Sequence, residues 1–174
     1  MIDTWFNNIS GAIQQLPSWA ASLSGFLLLL VVAVVADLVA KGQLVRAAHR
    51  LFEATEHTWD DTLIEYHVFG RLTRLLPAIV FYFGLEIIPG LPDVVVRVGE
   101  NLAIAFGLLM LSLAVSALLS AVNAIYEKYP VSRERPIKGY LQVAKIILFL
   151  LVGVLIISAL TDRSPVLMLS GLGA

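Results

Sequence analysis

Four long apolar runs constrain this chain more than any other feature. They include "FLLLLVVAVVADLVA" at 26–40, "LLPAIVFYFGLEIIPGL" at 75–91, "LAIAFGLLMLSLAVSALLSAV" at 102–122 and "YLQVAKIILFLLVGVLIISAL" at 140–160. About 20 such residues in a helix cross the ~30 Å of a bilayer's hydrocarbon. In lipid a segment must satisfy its own backbone groups, and a helix does so within itself. The composition agrees. Apolar residues make up 59% and charged residues 14%, against about 45–50% and about 25% in a soluble domain. The predicted fold class is therefore all-α integral membrane. It has four transmembrane helices, an N-terminal interfacial amphipathic helix and a cytoplasmic amphipathic linker helix.

The pattern predicts the following order. Residues 1–17 form an external interfacial helix, because Ile2, Phe6, Ile9, Ile13 and Leu16 make one apolar stripe. Pro17 ends it, and Ser18 is placed to cap the next helix. The first span covers 18–40, with Trp19 as an interfacial anchor. A linker at 41–74 leads to a second span at 75–91, with Pro77 near its start, where proline is tolerated. "PGLP" at 89–92 marks a turn, and 92–100 reads as an external loop. The third span covers 101–125 and is rich in small residues. Gly107, Ser112, Ser116 and Ser120, with Gly153 of the fourth span, are candidate packing positions, because small residues let helices approach in lipid. A basic loop at 126–139 precedes the fourth span at 140–160, and 161–174 follows as an external loop. The first basic residue is Lys41, so no positive n-region of a cleavable signal is visible.

Charge sets the expected orientation. Lys and Arg number none in 1–18, five in 41–74, one in 92–100, five in 126–145 and one in 161–174. The positive-inside rule places the two basic segments in the cytoplasm and the N-terminus outside. Arg71, Arg74, Arg135 and Lys138 are candidate anchors to lipid headgroups. Lys145 lies near the start of its span, where it can snorkel to the interface. The net charge of −1 leaves no basic footprint for nucleic acid, and the absence of cysteine excludes disulfides and thiolate metal sites.

The remaining polar residues have two readings each. Asp37 is either an intramembrane ion or proton site or a near-interface acid paired with Lys41 at i, i+4. Residues 49–69 hold all three histidines. His49, His57 and Asp61 could serve a metal, but the HExxH pairing is missing. The other reading of the segment is a linker helix with a solvated acidic face. No serine lies near a histidine in sequence, and neither a P-loop nor a dinucleotide fingerprint is present. No catalytic residue and no cofactor are predicted.

The C-terminal stretch "RPIKGYLQVAKIILFLLVGVLIISALTDRSPVLMLSGLGA", 135–174, resembles the MscS family of bacterial mechanosensitive channels. It is most similar to the miniconductance-type members with extra N-terminal spans. Pro136 to Gly139 resemble the family's Pro-x-Lys-Gly entry into a long apolar helix. Ser164 and Pro165 resemble its short loop, and Ser170 to Ala174 the Ser-Gly-Leu-Gly-Ala that opens its pore-lining helix. "TWDDTL" at 58–63 and "RLTRLLPA" at 71–78 also resemble the stretch before the second span of such members.

The resemblance implies that Gly171, Gly173 and Ala174 start a pore helix that these residues do not complete. It implies a homo-oligomer, heptameric when the pore helix and vestibule are present, with membrane lipids as partners in a bacterial inner membrane. The implied activity is release of ions and small solutes on osmotic downshock, with these spans sensing tension. The alternative is a four-span structural or accessory membrane protein.

Overall fold

The computed structural model describes residues 18–52, 59–133 and 135–172. The predicted interfacial helix at 1–17 lies outside them. Among the described residues the chain is helical, with no strand: α1 (Ser18–Phe52), α2 (Trp59–Glu65), α3 (Val68–Thr73), α4 (Leu75–Gly84), α5 (Asp93–Glu127), α6 (Lys138–Thr161) and α7 (Pro165–Leu172). Short 3₁₀ turns follow α4 and α5. Four stretches are long and apolar enough to cross a membrane: Ala20–Gln43, Val68–Ile87, Asp93–Glu127 and Lys138–Thr161. The protein is a multi-pass membrane protein.

Several boundaries differ from the sequence expectation. The first helix does not stop at Ala40 but runs 35 residues to Phe52, about 52 Å at 1.5 Å per residue. No proline follows Ala40, and Leu, Arg and Ala are good helix formers, so the linker's start continues the span. Residues 53–58 of that linker lie outside the described residues. The second crossing does not start at Leu75. α4 alone has 10 residues, about 15 Å. The crossing reaches hydrocarbon length only when α3 is added, and this takes Arg71 and Arg74 into it.

Residues 93–100, expected as loop, are the first turns of α5. Pro92 is extended and Asp93 occupies the first helical turn, where an acid complements the helix dipole. The expected loop is the polar gap between two apolar runs, but a helix continues through it because nothing after Pro92 breaks one. The fourth helix starts at Lys138, two residues before the expected Tyr140. The last loop is only 162–164, because Pro165 opens α7, a position where its missing N–H costs nothing.

α5 is the centre of the bundle. It packs against α4, α3 and α2 along one side and against α6 on the other, while α1 packs on α4 and α3. Most of the buried residues are small, among them Ala33, Ala78, Ala103, Ala105, Ser112, Ala114, Ala117 and Ala121, with Val68, Leu85 and Ile88 the larger ones. Small side chains let backbones approach and gain dispersion contacts, the main attraction available when lipid is as apolar as the side chains. Glycines tighten the fit where needed. A Cβ at Gly99 would stand 2.5 Å from Leu85 Cδ1, and one at Gly25 would stand 2.7 Å from Ile88 Cγ2. Phe26 and Phe81 meet in a tilted pair at 6.1 Å.

Candidate functional site

The polar contacts between helices gather on the C-terminal half of α5. Arg71 of α3 donates from Nη1 to the carbonyl of Leu113 at 2.7 Å. Lys128, just past α5, donates to Thr62 Oγ1 of α2 at 3.1 Å. Lys145 of α6 donates to Ser120 Oγ at 2.6 Å, and Ser120 donates in turn to the Ser116 carbonyl at 3.0 Å. Arg71 of α3 and Lys145 of α6 thus tie onto α5, and Lys128 at α5's own end ties it to α2, each through a neutral acceptor. A cation taken into a helix contact needs such partners, because burial without them is costly.

Local chain geometry presents these groups. α2 ends where Tyr66 N–H reaches Thr62 O at 3.0 Å and His67 N–H reaches Ile64 O at 2.9 Å. His67 turns through the left-handed region at φ 52°, so α3 starts on a new axis and carries Arg71 toward α5. Thr62 is buried at 2% exposure, which leaves the Lys128 ammonium as its external donor. Beyond this seam, Asp37 pairs with Lys41 along α1, as the i, i+4 spacing suggested.

The sequence-predicted anchors separate. Arg74, Arg135 and Lys138 are exposed, whereas Arg71 turns inward to Leu113. Arg135 also accepts at its carbonyl from Tyr126 OH at 2.8 Å. Among the candidate packing residues, Ser112 is buried and donates to Leu109 O at 2.8 Å. Gly107 faces Ala78, with 3.6 Å from a built Cβ to Ala78 Cβ. Ser116 and Ser120 lie in the seam facing α6. A Cβ at Gly153 would meet nothing within 4 Å among the described residues. Gly171 falls within α7, and Gly173 and Ala174 lie outside the described residues.

The side chains of His49, His57 and Asp61 also lie outside the described set. Among the described residues no group of three His, Cys, Asp or Glu is placed to hold a metal. Sequence reasoning missed the Arg71, Lys128 and Lys145 contacts. The signal available for Arg71 was its place one turn before an apolar run too short to span alone.

The opposite end of the bundle is built differently. An apolar groove of about 550 Å³ runs between α1 and the end of α4, lined by Gly25, Leu29, Gly84 and Ile88. A second, of about 430 Å³, lies between α4 and α5 beside Phe26, Phe81 and Phe106. Both lie along membrane spans and suit acyl chains rather than polar ligands. At α6's end, Asp162 at φ 53° closes the helix. Arg163 N–H returns to Ser158 O at 3.1 Å and Asp162 N–H to Ala159 O at 3.4 Å, the Schellman pattern. Ser158 Oγ also donates to the Arg163 carbonyl. The chain thereby reverses within three residues and enters α7.

No protein-family model matches the chain, and no solved structure matches it significantly.

Proposed function

We propose that this chain is the tension-sensing membrane region of an MscS-like mechanosensitive channel that releases ions and small solutes on osmotic downshock. The observation that supports it best is the end of the fourth crossing. There a three-residue turn at 162–164 leads directly into a further apolar helix, α7, which runs on through Ser170 and Gly171, the point at which the resemblance has the pore helix begin. The packing is a second support. Only 6% of the apolar windows of α1 and α6 is buried within the chain, so both helices offer most of their surface to lipid. A protein whose states differ in membrane area is shifted by tension, as a two-state protein is shifted by a ligand that prefers one state.

In this reading the protein sits in a bacterial inner membrane with its N-terminus outside and both basic segments in the cytoplasm. Lipids are its partners, with Arg74, Arg135 and Lys138 at the headgroups. Copies assemble around an axis, seven by the family resemblance, through a pore helix starting at Gly171, Gly173 and Ala174. The test is patch recording of the full-length protein in liposomes under suction. Currents that rise with pressure support the reading. Silence up to membrane lysis overturns it and favours the accessory-protein alternative.

A further inference from the structure

Arg71 occupies an unusual seat. Its guanidinium is bonded to the carbonyl of Leu113, which lies inside the unbroken helix α5 and therefore also accepts an intrahelical N–H. A neutral carbonyl shared in this way is a weak partner for a cation that carries five donors.

A stronger partner lies on the other side of α3. Asp37 is on the inward face of α1, one turn after Ala33, which is 2% exposed. Its side chain is 18% exposed. One carboxylate oxygen pairs with Lys41, and the other, Oδ1, is buried with no hydrogen-bond partner among the described residues. α1 runs antiparallel to the second crossing, with Gly25 beside Ile88, Leu29 beside Gly84 and Phe26 beside Phe81. Continuing that register places Asp37 level with about residues 70–76, a stretch that includes Arg71. α3 touches both α1 and α5, so the helix that carries Arg71 lies against both the helix of the occupied neutral acceptor and the helix of the half-used anionic one.

We propose that Arg71 is a two-seat latch: bonded to Leu113 on α5 in the compact state, and to Asp37 on α1 when α1, α3 and α4 move away from α5. The exchange converts a hydrogen bond to a carbonyl into an ion pair. It keeps α3 on α1 as the bundle widens and satisfies the buried Asp37 oxygen in the second state. A discrete change of partner of this kind makes an interface bistable rather than continuously deformable. The proposal rests on the tension-sensing reading and adds which helix pair separates and which stays together.

The test measures distances rather than current. The sequence contains no cysteine, so spin labels can be placed on cysteines introduced at Val39, Leu72 and Leu111, all exposed. The full-length protein is reconstituted in phosphatidylcholine vesicles, and lysophosphatidylcholine is added to one leaflet to mimic tension. In the wild type the 72–111 distance is expected to lengthen by about 5 Å, one helical turn, while 39–72 holds. In Asp37→Asn the 39–72 distance lengthens as well, and Asp37→Glu restores the wild-type pattern. If Asp37→Asn moves as the wild type does, the latch is wrong and the tension reading stands. If no distance changes in any variant, both fall.

Discussion

Replacing Gly84 tests the packing of α1 on the second crossing. An alanine Cβ there would stand 2.0 Å from Leu29 Cδ1, 3.2 Å from Cγ and 3.3 Å from Cδ2, whereas carbon atoms rest at about 3.5–4.0 Å. The whole end of the leucine side chain is in the way, so turning the terminal methyls alone does not clear it. Either Leu29 leaves its rotamer or α1 backs away by more than about 1 Å. Overpacking of this kind costs about 1–3 kcal/mol. Against it stands the helix-propensity gain of up to about 1 kcal/mol on replacing an interior glycine, which is smaller at Gly84 because α4 ends there.

Gly84→Ala is therefore expected to destabilise the bundle by about 1–2 kcal/mol net, from these two opposing terms. Leu29→Ala on its own loses dispersion contacts and is also destabilising. Together, the two should cost less than their sum, because the truncated side chain vacates the space the new methyl needs. The assay is a double-mutant cycle of thermal unfolding in detergent, followed by helical circular dichroism. A coupling of at least about 0.5 kcal/mol marks residues in contact. Additive losses would refute the contact and the α1 register built on it.

Four further outcomes are expected. Ser120→Ala removes the acceptor of Lys145 and should cost about 1–3 kcal/mol for the unpaired ammonium; adding Lys145→Met should recover most of the loss in the same unfolding assay. Asp162→Gly should stabilise the α6–α7 turn, while Asp162→Val should lower stability by at least about 1 kcal/mol, because a β-branched residue resists the left-handed conformation. The same logic at His67 predicts that His67→Gly raises the unfolding temperature. Cysteines introduced singly at Val131 and Val94, both exposed, should react with a membrane-impermeant maleimide from opposite sides of spheroplast membranes, Val131 from the cytoplasmic side; labelling of both from one side would overturn the assigned crossing of α5.

The four crossings were legible because a run of apolar residues is a direct physical requirement of hydrocarbon. Their ends were less legible, and each case has its own cause. α1 passes Ala40 because nothing in "KGQLVRAAHRLF" breaks a helix, and a change from apolar to polar side chains alters the surroundings of a helix rather than the helix itself. α5 starts at Asp93 because Pro92 and the acid after it form a helix start, a signal hidden when 92–100 is read only as the gap between two apolar runs. The seam was the least legible part. Arg71 was read as a headgroup anchor because an arginine beside an apolar run usually reaches for the interface. Its contact with Leu113 crosses 42 residues of chain and follows from the turn at His67, whose left-handed backbone has no sequence signature. Small residues, by contrast, announce close approach, and Ala103, Ala105, Ser112, Ala114, Ala117 and Ala121 are all buried in α5.

The two ends of the bundle are held by different forces, and the difference bears on how it can move. Around Gly25, Gly84 and Gly99 the contacts are backbone-close and mainly apolar, with a hydrogen bond from Ser22 Oγ to the Pro89 carbonyl at 3.1 Å beside them. Dispersion at such contacts decays within about 1 Å of separation, so that end either holds its register or loses it outright. Around Leu113, Ser120 and Thr62 the contacts are hydrogen bonds from long cationic side chains. Such side chains span a widening gap, follow a moving partner and re-pair with other acceptors. A lateral pull applied to α1 and α6, which face lipid, therefore meets a stiff joint at the glycine end and a compliant one at the cationic end. The expected motion is a splaying of α1, α3 and α4 from α5 about the Gly99–Leu85 contact, where α5 meets the end of the second crossing, largest where Arg71 meets Leu113. Under Gly99→Ala, whose Cβ would stand 2.5 Å from Leu85 Cδ1, that joint is loosened, so the same splaying should need less tension. On the channel reading proposed above, the full-length Gly99→Ala variant should open at lower suction than the wild type, and an unchanged threshold would show that the Gly99–Leu85 contact is not the pivot.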